Sequence, residues 1–455
     1  MYNAKTTNLF RILALFLQKR LIKCKGGDII NRKTGGVEDL AMLLEFSCSN
    51  HKSILDKVVF SALAGKDTSH EERVKNFDSF RVLKGAIIYG ANGSGKSNFI
   101  DAISFVKNLV SDSIRHQPGQ GIFQRPHKLA KTGKSSYSIQ FVKSNTRYAY
   151  GFVLENFVVV EEYLYYFPNG RQTKIFERTN DTFVTGTKFK NRLSNCNEVL
   201  KPNRLLLSCA ANFSNAVEIE DAFRFFNEDI VIYGSENQMN WMNYSLRKIH
   251  EDEKIKDIVL AFLEDLHTGI RDIKVDIDEK TLDESELPPF LSDEFRNQIM
   301  QQKVSSFTTK IVYDDFETDL MSEESAGIQK LFSILCPLID IMINGKVLIC
   351  DELETNLHES LVYGIVRLFT QLRTEEFAQI IFSTHDTSLL NLDLFRRDQI
   401  WFTELSKETR CTELYSLAEI KNVRKDEVVG KGYIAGKYGA IPMLNLDFAN
   451  VISKL

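Results

Sequence analysis

Residues 90–97 read Gly-Ala-Asn-Gly-Ser-Gly-Lys-Ser, which fills every fixed position of the pattern G-x-x-x-x-G-K-[S/T]. A chain carrying this octapeptide is constrained to present backbone N–H groups to an anion, because glycine places no Cβ between those amides and the bound oxygens. The flanks supply the context that the pattern requires. Ala86-Ile87-Ile88-Tyr89 is a short apolar run read as a buried strand, and Phe99, Ile100, Ile103, Phe105, Val106 and Leu109 recur at helical spacing after the loop. Strand, glycine loop and helix together predict a phosphate-binding loop, with the positive end of the helix dipole facing the same anion. In that arrangement Lys96 reaches the β and γ phosphates of a nucleoside triphosphate and Ser97 Oγ ligates Mg2+, with Asn92, Gly93, Ser94, Gly95 and Asn98 lining the cradle. An ordinary glycine-rich turn is the competing reading, and the full pattern in its strand and helix context disfavours it.

A second set of residues lies far down the chain. Val347-Leu348-Ile349-Cys350-Asp351-Glu352 is an apolar strand ending in adjacent carboxylates. Asp351 is placed to hold Mg2+, and Glu352, one residue on and differently directed, suits a general base that polarises water. Alone, such a strand end is common; behind a complete glycine loop it reads as the metal and base pair of the same site. Residues 380–386 form another apolar run ending in Ser-Thr-His-Asp, with His385 lying 33 residues after Glu352. A lone histidine is usually structural, but here it ends the next predicted strand, where its imidazole can sense a γ-phosphate. Glu352 and His385 are therefore the candidate catalytic residues. Ser325 opens the helix that leads into the Asp-Glu strand and reads as its N-cap. The same helix start is a further anion site, to which Ser325 offers a hydroxyl and Gly327 an unobstructed amide.

Length and composition bound the rest. The 455 residues suit two to three domain-sized units, and 43% hydrophobic with 26% charged residues is an ordinary globular composition. A net charge of −4 excludes a polycationic chain, so any nucleic-acid contact must be local. Two basic stretches are candidates: Lys19, Arg20, Lys23, Lys25, Arg32 and Lys33, and Arg125, His127, Lys128, Lys131 and Lys134. Solvated loops collect such charges routinely. The seven cysteines are scattered without a C-x-x-C pair, which fits a reduced, cytoplasmic protein. No apolar run approaches the roughly 20 residues that cross a bilayer; the best, residues 9–17, is interrupted by Arg11, so no membrane association is expected.

The expected organisation has four parts: an amphipathic N-terminal extension over 1–41, an ATPase lobe with the glycine loop and an antiparallel sheet over 42–200, a helical lid or insertion over 201–303, and a second ATPase lobe over 304–455. The extension reads as a partner or oligomer contact, or as sequence upstream of a natural start at Met42. Strand-like runs occupy 137–142, 147–154, 158–167 and 172–178; helical periodicity occupies 205–226 and 239–266. The charged stretch 276–294, broken by Pro288-Pro289, reads as a mobile insert, and from Gly327 onward helix and strand alternate as in parallel α/β units.

Glycine loop, Ser-x-Gly about twenty residues before the Asp-Glu strand, and Ser-Thr-His-Asp together resemble the ATP-binding cassette class, and within it the soluble SMC-like and RecF-like ATPases. The resemblance implies an α/β fold: an ABC-type P-loop ATPase core with mixed and antiparallel sheets and a helical insertion. From Met42 onward the chain looks like the AAA-type, ABC-like ATPases of prokaryotic defence loci, of the RloA and AbiL kind, with relatives in Septu and PARIS systems. The runs 42–46, 90–98, 351–358, 383–386 and the glycine-punctuated tail 431–442 carry that likeness. It implies ATP and Mg2+ as cofactors, with Lys96 and Ser97 binding nucleotide and metal, Asp351 completing the metal site, Glu352 catalytic and His385 on the γ-phosphate. It further implies that Ser325 and Gly327 serve the opposite protomer of an ATP-sandwiched dimer or higher oligomer. The segment Leu353-Glu354-Thr355-Asn356 departs from the usual dimer-contact loop, and Gln140 is a weak candidate for the glutamine that such ATPases place near the metal.

Three functions compete. In the first, the ATP-dependent assembly senses a phage-encoded trigger and regulates an effector encoded beside it, a nuclease, toxin or TOPRIM-type protein. In the second, a RecF-like repair ATPase clamps DNA through Lys128, Lys131 and Lys134. In the third, a scaffold assembles on ATP and barely turns it over. The chain shows no nuclease constellation of its own.

Overall fold

The computed structural model describes residues 40–281, 303–371, 378–424 and 427–441; the expected amphipathic extension lies outside them. The chain divides into two compact units. Among the described residues one unit comprises 234–343 and 355–364, and the other comprises 40–233, 344–354 and 365–441.

The larger unit carries two sheets. Ala41–Ser49 (β1), Val58–Ser61 (β2), Ser135–Lys143 (β6), Thr146–Glu155 (β7), Val158–Tyr166 (β8), Thr173–Thr179 (β9) and Thr182–Thr185 (β10) form a seven-stranded antiparallel sheet in the order β10-β9-β8-β7-β6-β1-β2. The short Val74–Asn76 (β3) and Arg81–Leu83 (β4) pair separately. Ser144-Asn145 and Asn156-Phe157 turn the two central hairpins with positive φ at both positions, the geometry whose twist matches the flanking strands. Alternating burial along β6 delivers Tyr137, Ile139 and Phe141 to the core. There Phe141 stacks on Phe225 at 4.0 Å.

One buried ionic cluster ties this sheet to the helix that follows it. Glu162 accepts from Tyr150 Oη at 3.0 Å and from the Leu206 and Leu207 amides at 2.6 and 2.9 Å, with Arg178 at 3.5 Å. Those amides belong to the start of a helix, so the carboxylate also meets its positive dipole end. Burial nevertheless pushes the Glu162 pKa above its usual value, against Arg178 and the amide donors.

The second sheet positions the site. Gly85–Tyr89 (β5), Ile230–Tyr233 (β11), Val347–Cys350 (β15), Gln379–Ser383 (β16), Ile400–Leu405 (β17) and Thr412–Ser416 (β18) order as β11-β15-β16-β5-β17-β18. All neighbours run parallel except β18. Continuous burial of β5, β15 and β16 explains why their sequences are unbroken apolar runs. Gln379, wholly buried, staples the sheets together: its Oε1 accepts from Leu43 N at 2.8 Å, and its Nε2 donates to the Leu43 and Leu83 carbonyls.

The smaller unit is built from Asp272–Thr281 (β12), Lys303–Val312 (β13) and Glu317–Asp319 (β14) with helices Gln238–Glu251 and Glu253–Asp265. The segment read as a mobile insert is therefore a strand over residues 276–281, in a ten-residue antiparallel pairing with β13; residues 282–302 lie outside the described chain. The segment continues the alternation that begins in β12 with buried Ile273 and Val275 between charged residues, a period-two pattern that charge density masked. The segment read as a helical lid, 201–303, also contains β11, which belongs to the parallel sheet. Helix Ala326–Asn344 contains Pro337. Proline leaves the carbonyl four residues earlier without its helical donor, and Ser245 Oγ donates to that Ser333 carbonyl at 3.3 Å. This helix is long and apolar enough to cross a membrane by length and composition, beyond any run singled out in the sequence, though 61% of its apolar window is buried.

Candidate functional site

The parallel register brings three strand ends level. Cys350 pairs with Phe382 and Ser383 with Ile88, so the segments after β15, β16 and β5 leave the sheet side by side. The glycine loop after β5 leads into helix Lys96–Asp112 (α1), capped by Gly95 at φ 110° with no side-chain cap. The helix thus begins with amides that no side chain satisfies, as an anion site requires. Asn92, Gly93 and Ser97 are exposed, and Gly93 at φ 77° has open space above it. Lys96 is 5% exposed and donates to the Gly90 and Ala91 carbonyls at 2.8 and 3.3 Å. Burial lowers its pKa, while Asp351, Glu352 and Glu354 oppose that shift.

The glycines at 90 and 95 are required by residues that sequence reasoning missed. A Cβ on Gly90 would stand 2.3 Å from Thr403 Oγ1, and one on Gly95 would stand 2.2 Å from Thr412 Oγ1. Ser94 Oγ bonds Thr403 Oγ1 at 2.6 Å, and Thr412 Oγ1 donates to the Ser94 carbonyl at 2.9 Å. Ser53 Oγ links Thr412 Oγ1 and Asn98 Nδ2, both at 2.7 Å. Asn98 is thereby turned into the scaffold of the loop. Nothing in the sequence near residue 94 announces threonines more than three hundred positions away.

Asp351 and Glu352 follow β15. Ser383 organises both: its hydroxyl donates to Asp351 Oδ1 at 2.5 Å and accepts the Glu352 amide at 2.9 Å. Glu352 sits at φ 52°, a left-handed conformation that costs a bulky residue about 1–3 kcal/mol and concentrates at functional sites. Its side chain is 51% exposed, with His385 Nε2 at 4.0 Å from Oε1. Burial, then Lys96, lower the His385 pKa below the usual imidazole value, against Glu354, Glu352 and Asp351. Glu354 was not assigned a role from the sequence; its Oε1 accepts the His385 amide at 2.6 Å and its Oε2 is buried without a hydrogen-bond partner. Only its adjacency to the Asp-Glu pair could have drawn attention to it.

Asp351, Glu352 and Glu354 lie close enough to Lys96 to act on its charge, an acidic surrounding in which a divalent cation can stand between carboxylates and phosphate. Mg2+ takes one or two carboxylates together with phosphate oxygens, and Asp351 with Ser97 is the protein set that fits. Among the described residues no three His, Cys, Asp or Glu side chains gather as a metal cage.

Ser325 and Gly327 belong to the smaller unit. Ser325 caps helix Ala326–Asn344, accepting the Ile328 amide at 3.3 Å. The Gly327 Cα lies so close to the Asn356 carbonyl that an added Cβ would touch it at 3.4 Å. Gln140 lies on β6, where Glu45 and Arg147 engage its amide group. His127, grouped with the basic stretch, is buried, accepting from the Leu129 amide and donating to the Arg410 carbonyl at 3.2 Å.

A parallel sheet with glycine loop, Asp-Glu pair and histidine at neighbouring strand ends, joined to an antiparallel sheet, defines the ABC-type P-loop ATPase fold. The chain belongs to the family described as "AAA domain, putative AbiEii toxin, Type IV TA system", whose model matches residues 86–193 and 252–391, more than half of the chain. No curated protein matches the sequence. Among solved structures, an SMC head bound to the C-winged helix domain of ScpA is 15% identical over 82% of this chain and 97% of its own, with a TM-score of 0.39. The SMC head domain from Thermotoga maritima is 13% identical over 82% and 98%, at 0.37. An Smc head with an extended coiled coil, bound to the C-terminal domain of ScpA derived from Pyrococcus furiosus, is 12% identical over 83% and 96%, at 0.37.

Proposed function

We propose that this chain hydrolyses ATP in a site shared by two copies, and that the ATP-dependent dimer or higher oligomer regulates a partner effector, a nuclease or toxin, in cytoplasmic anti-phage defence. The observation that carries the ATPase reading is the convergence of Lys96, Asp351, Glu352 and His385 at adjacent strand ends. Lys96 and the α1 amides hold the β and γ phosphates, Ser97 and Asp351 hold Mg2+, and the ion offsets charge between phosphates and carboxylates. Glu352, exposed and on a left-handed backbone, takes a proton from the attacking water; His385 offers a hydrogen bond to the γ-phosphate. Ser325 and Gly327, on a capped helix start, close the site of the second copy. The effector and a phage-encoded trigger rest on the likeness to defence ATPases and on the toxin–antitoxin description of the family.

DNA clamping is the second reading, favoured by one surface. Phe123 is 70% exposed with the Arg125 guanidinium 5.0 Å from its ring centroid, and Lys128, Lys131 and Lys134 are exposed nearby in sequence. Exposed aromatic and basic side chains together suit nucleic acid.

Native mass separates a shared site from a site within one chain. With ATP and Mg2+ the mass should rise to at least twice that of the nucleotide-free protein; an unchanged mass contradicts the sandwich.

A further inference from the structure

The glycine-punctuated tail is docked rather than trailing. Residues 427–441, beyond the stretch matched by the family model, contain helix Val429–Ile434 and pack within the larger unit. Tyr433 and Tyr438 stack on Phe402 of β17 at 5.7 and 5.9 Å, and Tyr433 also packs on Tyr89, the last residue before the glycine loop. Tyr415 Oη donates to the Tyr438 carbonyl at 2.8 Å, and Tyr438 Oη donates to Glu427. Three residues at positive φ, Gly436, Gly439 and Ala440, at 77°, 73° and 58°, bend the backbone here. They deliver the Ala440 carbonyl to the glycine loop, where it accepts the Ala91 amide at 2.9 Å and Tyr433 Oη at 3.0 Å.

The same segment grips the histidine side of the site. The Gly430 amide donates to the Leu390 carbonyl at 3.1 Å, in the turn that follows His385, and Tyr89 Oη donates to the Asp386 carbonyl at 2.8 Å. One short stretch therefore touches both chain segments that meet the phosphates. An alanine held at positive φ is strained, and Ala440 is 1% exposed and held there from two sides.

The geometry points to residues 427–441 as a strap that sets the glycine loop and the His385 turn for nucleotide, with Tyr433 and Ala440 as positioning residues. This rests on the nucleotide-binding reading of residues 90–97. By linkage, a strap that raises nucleotide affinity is itself held more firmly when nucleotide is bound, by the same factor.

The test is made on the full chain with a fluorescent, non-hydrolysable ATP analogue. Gly439→Val places a β-branched residue at φ 73°, against Glu404 and Tyr415, and unseats the strap away from the loop. Tyr433→Phe removes only the hydroxyl that holds the Ala440 carbonyl. The analogue should bind about five- to tenfold more weakly to Gly439→Val, the worth of one neutral hydrogen bond to the loop, and two- to threefold more weakly to Tyr433→Phe. In the unaltered chain, saturating analogue should slow hydrogen exchange at the Ala435, Gly436 and Lys437 amides, which are bonded within the strap. Unchanged affinity in both variants, or exchange indifferent to the analogue, overturns the strap alone. Absence of binding to the unaltered chain, or full binding by Lys96→Ala, overturns the nucleotide site and the strap with it.

Discussion

Lys96→Ala is expected to weaken ATP binding at least about 100-fold, the largest effect on binding among the substitutions proposed. Two losses combine. The ammonium is the one cation contributed by the loop to the β and γ phosphates, and charge-assisted hydrogen bonds are each worth about 1.5–3 kcal/mol, where about 1.4 kcal/mol is tenfold. It also laces the loop to itself through the Gly90 and Ala91 carbonyls. Removing it leaves Asp351, Glu352 and Glu354 facing the phosphates with less to balance them, as their pull on the Lys96 pKa indicates. Titration of a labelled ATP analogue reads the effect directly, and affinity within a few fold of the unaltered chain would remove the loop from the site.

Glu352→Gln is expected to leave nucleotide binding nearly intact and to lower steady-state phosphate release by about 10²- to 10⁴-fold, the range over which a positioned general base acts. The amide keeps the shape and removes the basicity. The backbone at Glu352 stays at φ 52° because the Ser383 hydroxyl holds its amide, so the substitution tests chemistry rather than position. Unchanged turnover would mean that the assigned base is wrong.

The candidate site residues were legible in the sequence because they lie at or just beyond the ends of buried parallel strands. Buried strands are continuous apolar runs, and the polar residues that end them stand out: Gly90 after Tyr89, Asp351 after Cys350, His385 after Thr384. The fold class was legible for the same reason. What holds those residues was not. Thr403 and Thr412 on β17 and β18, Ser53, Ser383 and Glu354 fix the loop and the carboxylates through long-range hydrogen bonds that no local pattern encodes. Ile230–Tyr233 follows a five-residue π-helical turn and lies in the gap between two helical stretches, inside the span read as a helical lid. The tail showed its glycines, but only the fold shows that their positive φ values carry Ala440 to Ala91.

If the glycine loop of one copy works with Ser325 and Gly327 of another, mixing two inactive variants should restore turnover. Lys96→Ala lacks a working loop but keeps Ser325, whereas Ser325→Arg keeps the loop and blocks the capped helix start. Each alone should release little phosphate. In a mixed dimer, the loop of one variant meets the intact Ser325 of the other, so the mixture should regain a substantial fraction of the unaltered turnover. A mixture no more active than the sum of its parts would contradict a shared site.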